Sequence, residues 1–206
     1  MYWKEFSNKL LKYIFMDAII LAGGENRRFQ SHKALAEIKG RRIIEASTEL
    51  LTKHFTAVYI STNTPEFFFY LGLPLVGDIV AQRGPISGIY SSFISTGAPE
   101  LFFMACDMPF IKSEVIELIK QKFHGQDAVL PMHKGLPQPL LGIYSRRIVP
   151  QLAERIQQNK KAMWDLLQGI TVQLIPEQEM LRVDPEGRSF VNINTLEEYR
   201  NLIVHI

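Results

Sequence analysis

The stretch Asp17-Ala18-Ile19-Ile20-Leu21-Ala22-Gly23-Gly24 decides the fold class. Asp17 to Leu21 form a short, nearly continuous apolar run, the pattern of a strand buried on both faces of a parallel sheet. The glycine pair then lets the chain turn, and a polar loop follows.

Strand and helix patterns alternate outward from this stretch. Ile44, Thr48, Leu51 and Phe55 recur on one helical face. Ala57 to Ser61 is β-branched and aromatic and reads as a second strand. Leu75-Val76 is a very short third strand, ending near Asp78. Pro85 opens a helix that carries Ile86, Ile89 and Phe93. Leu101 to Ala105 is a strand, apolar on both faces, and Ser113 is expected to cap the helix of Ile116, Ile119 and Phe123. Strands follow at Ala128 to Leu130, Leu140 to Tyr144 and Thr171 to Ile175. Helices are expected around Ile148, Leu152 and Ile156, from Met163 to Leu167, and after the Thr195/Glu198 capping-box signature. This alternation implies an α/β domain with a mostly parallel central sheet. Ligands in such sheets bind beyond the carboxyl ends of the strands, which singles out Gly23, Asn63, Asp78 and Asp107.

The composition excludes several classes of function. The 206 residues suit one domain, and 47% hydrophobic with 21% charged residues is an ordinary globular balance. A net charge of +2 without a basic cluster points to neither nucleic acid nor membrane as a partner. A single cysteine excludes an internal disulfide framework and a cysteine-rich zinc site, so a reducing, cytoplasmic setting is expected. Residues 1–15 carry Trp3, Phe6, Leu10 and Tyr13 or Ile14 at helical spacing, and no signal-peptide cleavage pattern. They read as an N-terminal helical extension to a domain at 16–206, or as an over-extended start with Met16 as the first residue, or as an oligomer or partner contact.

Chemistry concentrates in a few places. Gly23 and Gly24 permit close backbone approach to a polyanion, and Arg28 and Lys33 supply positive charge nearby, although a tight solvated turn has the same composition. Neither the phosphate-loop nor the dinucleotide fingerprint is present. Asp107 follows an apolar strand and is well placed to hold a hard cation such as magnesium; a simple Asp-x-Pro turn is the plainer reading. Asp78 could bond a base or a metal, or merely form a turn. Cys106 reads as a small core residue, and the five histidines show no metal-ligand spacing. Phe67-Phe68-Phe69-Tyr70 reads as core or pocket wall, since no basic residue flanks it for base stacking.

Taken jointly, the motifs are more specific. Leu21-Ala22-Gly23-Gly24 followed by Arg28, Phe29 and Lys33, Asp78 ahead of Gly84-Pro85 and Gly88-Ile89, Cys106-Asp107-Met108-Pro109-Phe110, and Phe190-Val191-Asn192-Ile193-Asn194-Thr195 resemble the molybdopterin guanylyltransferases, the MobA family. The resemblance covers about residues 16 to 204 in consistent order. It implies a three-layer, Rossmann-like nucleotidyltransferase related to the glycosyltransferase-A type. The implied reaction joins GMP from GTP to the terminal phosphate of molybdopterin, with magnesium as cofactor and pyrophosphate released. It implies that Leu21, Ala22, Gly23 and Gly24 border the nucleotide, that Lys33 contacts its phosphates and that Arg28 is the loop arginine. Asn63 and Asp78 fall on its nucleotide side, Asp107 is its magnesium ligand, and Gln138, Pro139, Asn192 and Asn194 line its pterin side. A handover of the pterin from other molybdenum cofactor biosynthesis proteins fits the lability of that molecule.

The chain departs from the family pattern where Gln30 replaces glycine, His32 replaces aspartate and Ala81 replaces proline. Two other readings stand beside the first, the second of them motivated by Gln30 and His32. One is a related transferase that uses CTP or a sugar phosphate. The other is a nucleotide- or pterin-binding homologue with weakened catalysis.

Overall fold

The computed structural model of the chain describes residues 16–23, 33–81 and 84–193. The expected 1–15 extension, the helix after Thr195, and Gly24, Arg28, Gln30, His32 and Asn194 lie outside the described residues. The described strands are β1 (Asp17–Leu21), β2 (Glu37–Ile38), β3 (Arg41–Arg42), β4 (Val58–Ser61) and β5 (Leu75–Val76), followed by β6 (Glu100–Ala105), β7 (Ala128–His133), β8 (Leu136–Pro137), β9 (Leu141–Ser145) and β10 (Val172–Ile175). The helices are α1 (Ile43–Thr52), α2 (Pro85–Thr96), α3 (Ser113–Lys122), α4 (Val149–Gln157), α5 (Met163–Leu167) and α6 (Glu177–Val183).

The central sheet has eight strands in the order β10-β7-β9-β6-β1-β4-β5, with β8 paired to β7. β1 runs parallel to β4 and β6, β4 parallel to β5, and β10 parallel to β7. Only β9 opposes its two neighbours on this path, β6 and β7. The sheet is thus mostly parallel, as the alternation of patterns implied.

Side-chain alternation explains the three layers. Ala18, Ile20, Phe102 and Met104 point to one face, where Ile44 and Leu51 of α1 and Ile116 and Ile119 of α3 cover them. Ile19, Leu101 and Phe103 point to the other, beneath Ile89 and Phe93 of α2, Leu152 of α4 and Leu166 of α5. Phe55 stacks on Phe102 with centroids 4.7 Å apart, and Phe93 meets Phe103 edge-on at 5.7 Å. Each such fully buried side chain contributes about 1.5–3 kcal/mol relative to exposure.

Ser113 does not cap α3 as expected. The helix begins at Ser113 itself, and the preceding Lys112 makes no side-chain cap bond. The Ser113 hydroxyl instead lies 2.9 Å from His54 Nε2, while His54 Nδ1 lies 2.7 Å from Glu117. These bonds tie the α1–β4 loop to α3. Of the aromatic run, Phe68 is buried and packs into the core, whereas Phe67, Phe69 and Tyr70 are exposed.

Candidate active site

Parallel strands end side by side at one edge of the sheet. Leu21 of β1 pairs with Ser61 of β4 on one side and Ala105 of β6 on the other. The pairing continues past the strands: Ala22 N donates to Ser61 O at 2.8 Å, and Cys106 N donates to Leu21 O at 3.1 Å. Thr62 N donates to Val76 O at 2.8 Å, bringing in the end of β5. Gly23, Asn63, Asp78 and Asp107 each stand two residues beyond the last residue of β1, β4, β5 and β6 respectively. Residues remote in sequence are therefore neighbours on a single rim.

The nucleotide-side candidates are held firmly. Asn63 Nδ2 donates to Asp78 Oδ2 at 2.7 Å, and Asp78 N donates to Asn63 Oδ1 at 2.9 Å. The next residue, Ile79, donates its N–H to the Oγ of Ser91, a fully buried residue of α2, at 3.0 Å. Helix α2 approaches this rim because of its glycines. Gly84 precedes Pro85 at φ +139°, a backbone conformation that side chains disfavour. At Gly88 a Cβ would meet Ser61 Oγ at 3.1 Å and Leu21 Cδ2 at 3.2 Å, so glycine lets the first turn of α2 press against the ends of β1 and β4. Ala22 is buried, and Gly23 is exposed on the rim. Lys33 opens the short 3-10 turn Lys33–Leu35.

The acceptor-side candidates come from two later segments. Leu141 pairs with Met104, and Ala105 N donates to Leu140 O at 2.9 Å, so residues 138–139 run beside the chain leaving β6. Gln138 N donates to Pro131 O at 2.9 Å, and Tyr144 OH donates to Pro139 O at 2.7 Å. Burial pushes the Tyr144 phenol well above its usual range, which keeps it a neutral donor. Ile193 N donates to Asp107 O at 3.0 Å, placing the exposed Asn192 near the same loop. Asp107 is half-buried, and its Oδ1 is a buried atom.

No group of three or more His, Cys, Asp or Glu side chains among the described residues could cage a metal alone. The carboxylates on the rim are Asp107, beyond β6, and Asp78, three strands away beyond β5 and bonded to Asn63. A single carboxylate such as Asp107 fits magnesium, which takes one or two carboxylates and completes its shell with phosphate and water.

The sequence pattern did not reveal Ser91, Lys112 or Asp184. Ser91 sits on a helical face of small residues, with Ser87 and Gly88 one turn before it, and that face carries no signal of a binding role. Asp184 reads as a turn because Pro185 follows it.

A family model described as the MobA-like NTP transferase domain matches residues 18–176. The chain belongs to the MobA-like NTP transferase family. MobA-like relatives cover most of it. A Desulfosudis oleivorans protein named molybdenum cofactor guanylyltransferase is 35% identical over 188 residues, covering 89% of this chain and 93% of the relative. A Peptoclostridium acidaminophilum protein named probable molybdenum cofactor guanylyltransferase is 31% identical over 194 residues, 91% of this chain and 88% of the relative. Among solved structures, molybdopterin-guanine dinucleotide biosynthesis protein A of Archaeoglobus fulgidus superposes with a TM-score of 0.80 at 26% identity, covering 92% of this chain and 98% of that one. The MobA-like assignment thus rests on sequence and on fold together.

Proposed function

We propose that this chain transfers GMP from GTP to the terminal phosphate of molybdopterin, with release of pyrophosphate. The observation that carries the reading is the shared rim: Gly23, the Asn63–Asp78 pair and Asp107 stand at equal depth beyond neighbouring strands. The names of the relatives supply the substrates.

The reaction is an in-line displacement. A terminal phosphate oxygen of the pterin attacks the α-phosphorus of GTP, and the bond from that phosphorus to the bridging oxygen of pyrophosphate breaks. The attacking oxygen is already anionic, so no protein base is needed. The obstacle is repulsion between anions and charge growing on the leaving group. In this reading, the backbone at Leu21 to Gly24 borders the nucleotide, and Lys33 and Arg28 offset phosphate charge. The Asn63–Asp78 pair bonds the nucleoside. Gln138, Pro139, Asn192 and Asn194 border the pterin. Asp107 would hold a magnesium ion. When bound, that ion supplies Lewis-acid stabilisation of phosphate charge. No helix among the described residues is long and apolar enough to cross a membrane, and the setting we propose is the cytoplasm.

The test is pyrophosphate release from purified protein with magnesium, molybdopterin and each of the four nucleoside triphosphates in turn. Release with GTP alone is the expected result. Release with CTP, or with a sugar phosphate in place of the pterin, overturns the substrate assignment. Tight binding without release overturns the catalytic one.

A further inference from the structure

The segment bearing Asn192 is fastened to the Asp107 loop by a buried charge. Asp184 is fully buried. It receives Lys112 Nζ at 2.8 Å and the Ser189 N–H at 2.7 Å. The backbone N–H of Lys112 in turn donates to Ser189 Oγ at 3.1 Å. Three residues after Phe190, Ile193 N donates to Asp107 O at 3.0 Å. Phe190 itself stacks on His133, centroids 4.6 Å apart and planes 13° apart. His133 ends β7 and leads into the hairpin that carries Gln138. The buried carboxylate ties the chain at 184–193 to the loop after β6, and the Phe190–His133 stack ties the same chain to the β7–β8 hairpin.

Burying the carboxylate of an ion pair is a poor way to gain stability, because its desolvation offsets the attraction to the half-exposed Lys112. Directional bonds to a fixed charge do fix position. The nucleotide-side bonds are separate: Asn63 and Asp78 hold each other, Ile79 is held by Ser91, and residues 184–193 take no part in those bonds. We propose that Lys112 and Asp184 are positioning residues for the acceptor, setting the 184–193 segment against the Asp107 loop and so governing affinity for the phosphate-bearing pterin but not for the nucleotide. This rests on the function proposed above.

The experiment is pyrophosphate release with molybdopterin varied at saturating GTP, then GTP varied at saturating molybdopterin, for the wild type, Lys112→Met, Lys112→Arg and Asp184→Asn. Direct binding of a fluorescent GTP analogue accompanies the kinetics. In Lys112→Met the KM for molybdopterin is expected to rise about tenfold or more, the scale of one lost charge-assisted hydrogen bond. GTP affinity is expected to stay at the wild-type level, and Lys112→Arg to restore most of the lost pterin affinity. An unchanged pterin KM, or GTP affinity falling in parallel, overturns the positioning role. Should Lys112→Met not fold, amide hydrogen exchange in Asp184→Asn decides: faster exchange at Ser189 and Ile193 with unchanged exchange in β1 and β4 supports the clip, and wild-type rates at Ser189 and Ile193 overturn it. Absence of GTP turnover in the wild type instead overturns the function proposed, which separates the two failures.

Discussion

Asn63 and Asp78 grip each other through two reciprocal hydrogen bonds, 2.7 Å and 2.9 Å long, across the ends of β4 and β5. The side-chain amide both donates to the carboxylate and accepts from the backbone, so the loop after β5 has a single register. Replacing Asn63 by Ala removes both bonds. The expected outcome is a rise in the GTP KM of about tenfold, on the scale of one or two hydrogen bonds, with a smaller change in kcat. Steady-state pyrophosphate release measures it.

Asp107 stands at the same depth beyond β6 as Gly23 beyond β1. Asp107→Ala is expected to lower turnover by a factor of about 100 or more, the typical loss when one preorganised electrostatic contact is removed. The thermal midpoint should change little, because Asp107 anchors the Ile193 N–H through its main-chain carbonyl, which the substitution keeps. Retention of most pyrophosphate release would remove Asp107 from its role.

Gly88→Ala separates helix propensity from packing. Alanine inside a helix is ordinarily favoured over glycine by about 1 kcal/mol. Here its Cβ would stand 3.1 Å from Ser61 Oγ and 3.2 Å from Leu21 Cδ2, pushing α2 from the rim. The expected outcome is no gain in thermal midpoint and a higher GTP KM. A raised midpoint with unchanged KM contradicts the close approach.

His133 gives the fold a pH dependence. Burial, and then the neighbouring charge of Lys134, lower its pKa below 6.5 despite opposing attraction from Glu177 and Asp184. The folded protein therefore holds the imidazole neutral where the unfolded chain would protonate it. Its contribution to stability is complete above about pH 6.5 and is lost as pH falls from there through the lowered value. Denaturant midpoints across this range should fall with pH in the wild type and fall less in His133→Phe.

Much of the fold was legible because its strongest elements are buried on both faces. β1 and β6 read as unbroken apolar runs, and the alternation of strands and helices implied the parallel sheet. The direction of β9 was not legible, since a buried strand looks the same from either end. The β2–β3 hairpin also escaped. Its two-residue turn places both Lys39 and Gly40 at positive φ, but Lys-Gly lacks the asparagine or aspartate that usually marks such a turn. Helix α6 escaped because seven residues with Met180 as its buried anchor show no period.

The rim was legible at the level of strand ends. Gly23, Asn63, Asp78 and Asp107 follow from the rule that ligands bind beyond the carboxyl ends of a parallel sheet. What holds them in place was not legible. The Asn63–Asp78 bonds, the Ser91 anchor and the Lys112–Asp184 pair join residues 12 to 72 positions apart, and no local pattern encodes such contacts.

In the proposed reaction Gly23 and Asp107 face one nucleotide with its divalent ion. Crystals of the protein with GTP and manganese in place of magnesium test it through the anomalous signal of the metal. One manganese peak is expected at the Asp107 carboxylate, beside a triphosphate that lies along the Gly23 backbone. A nucleotide bound elsewhere, or a metal peak away from Asp107, would contradict it.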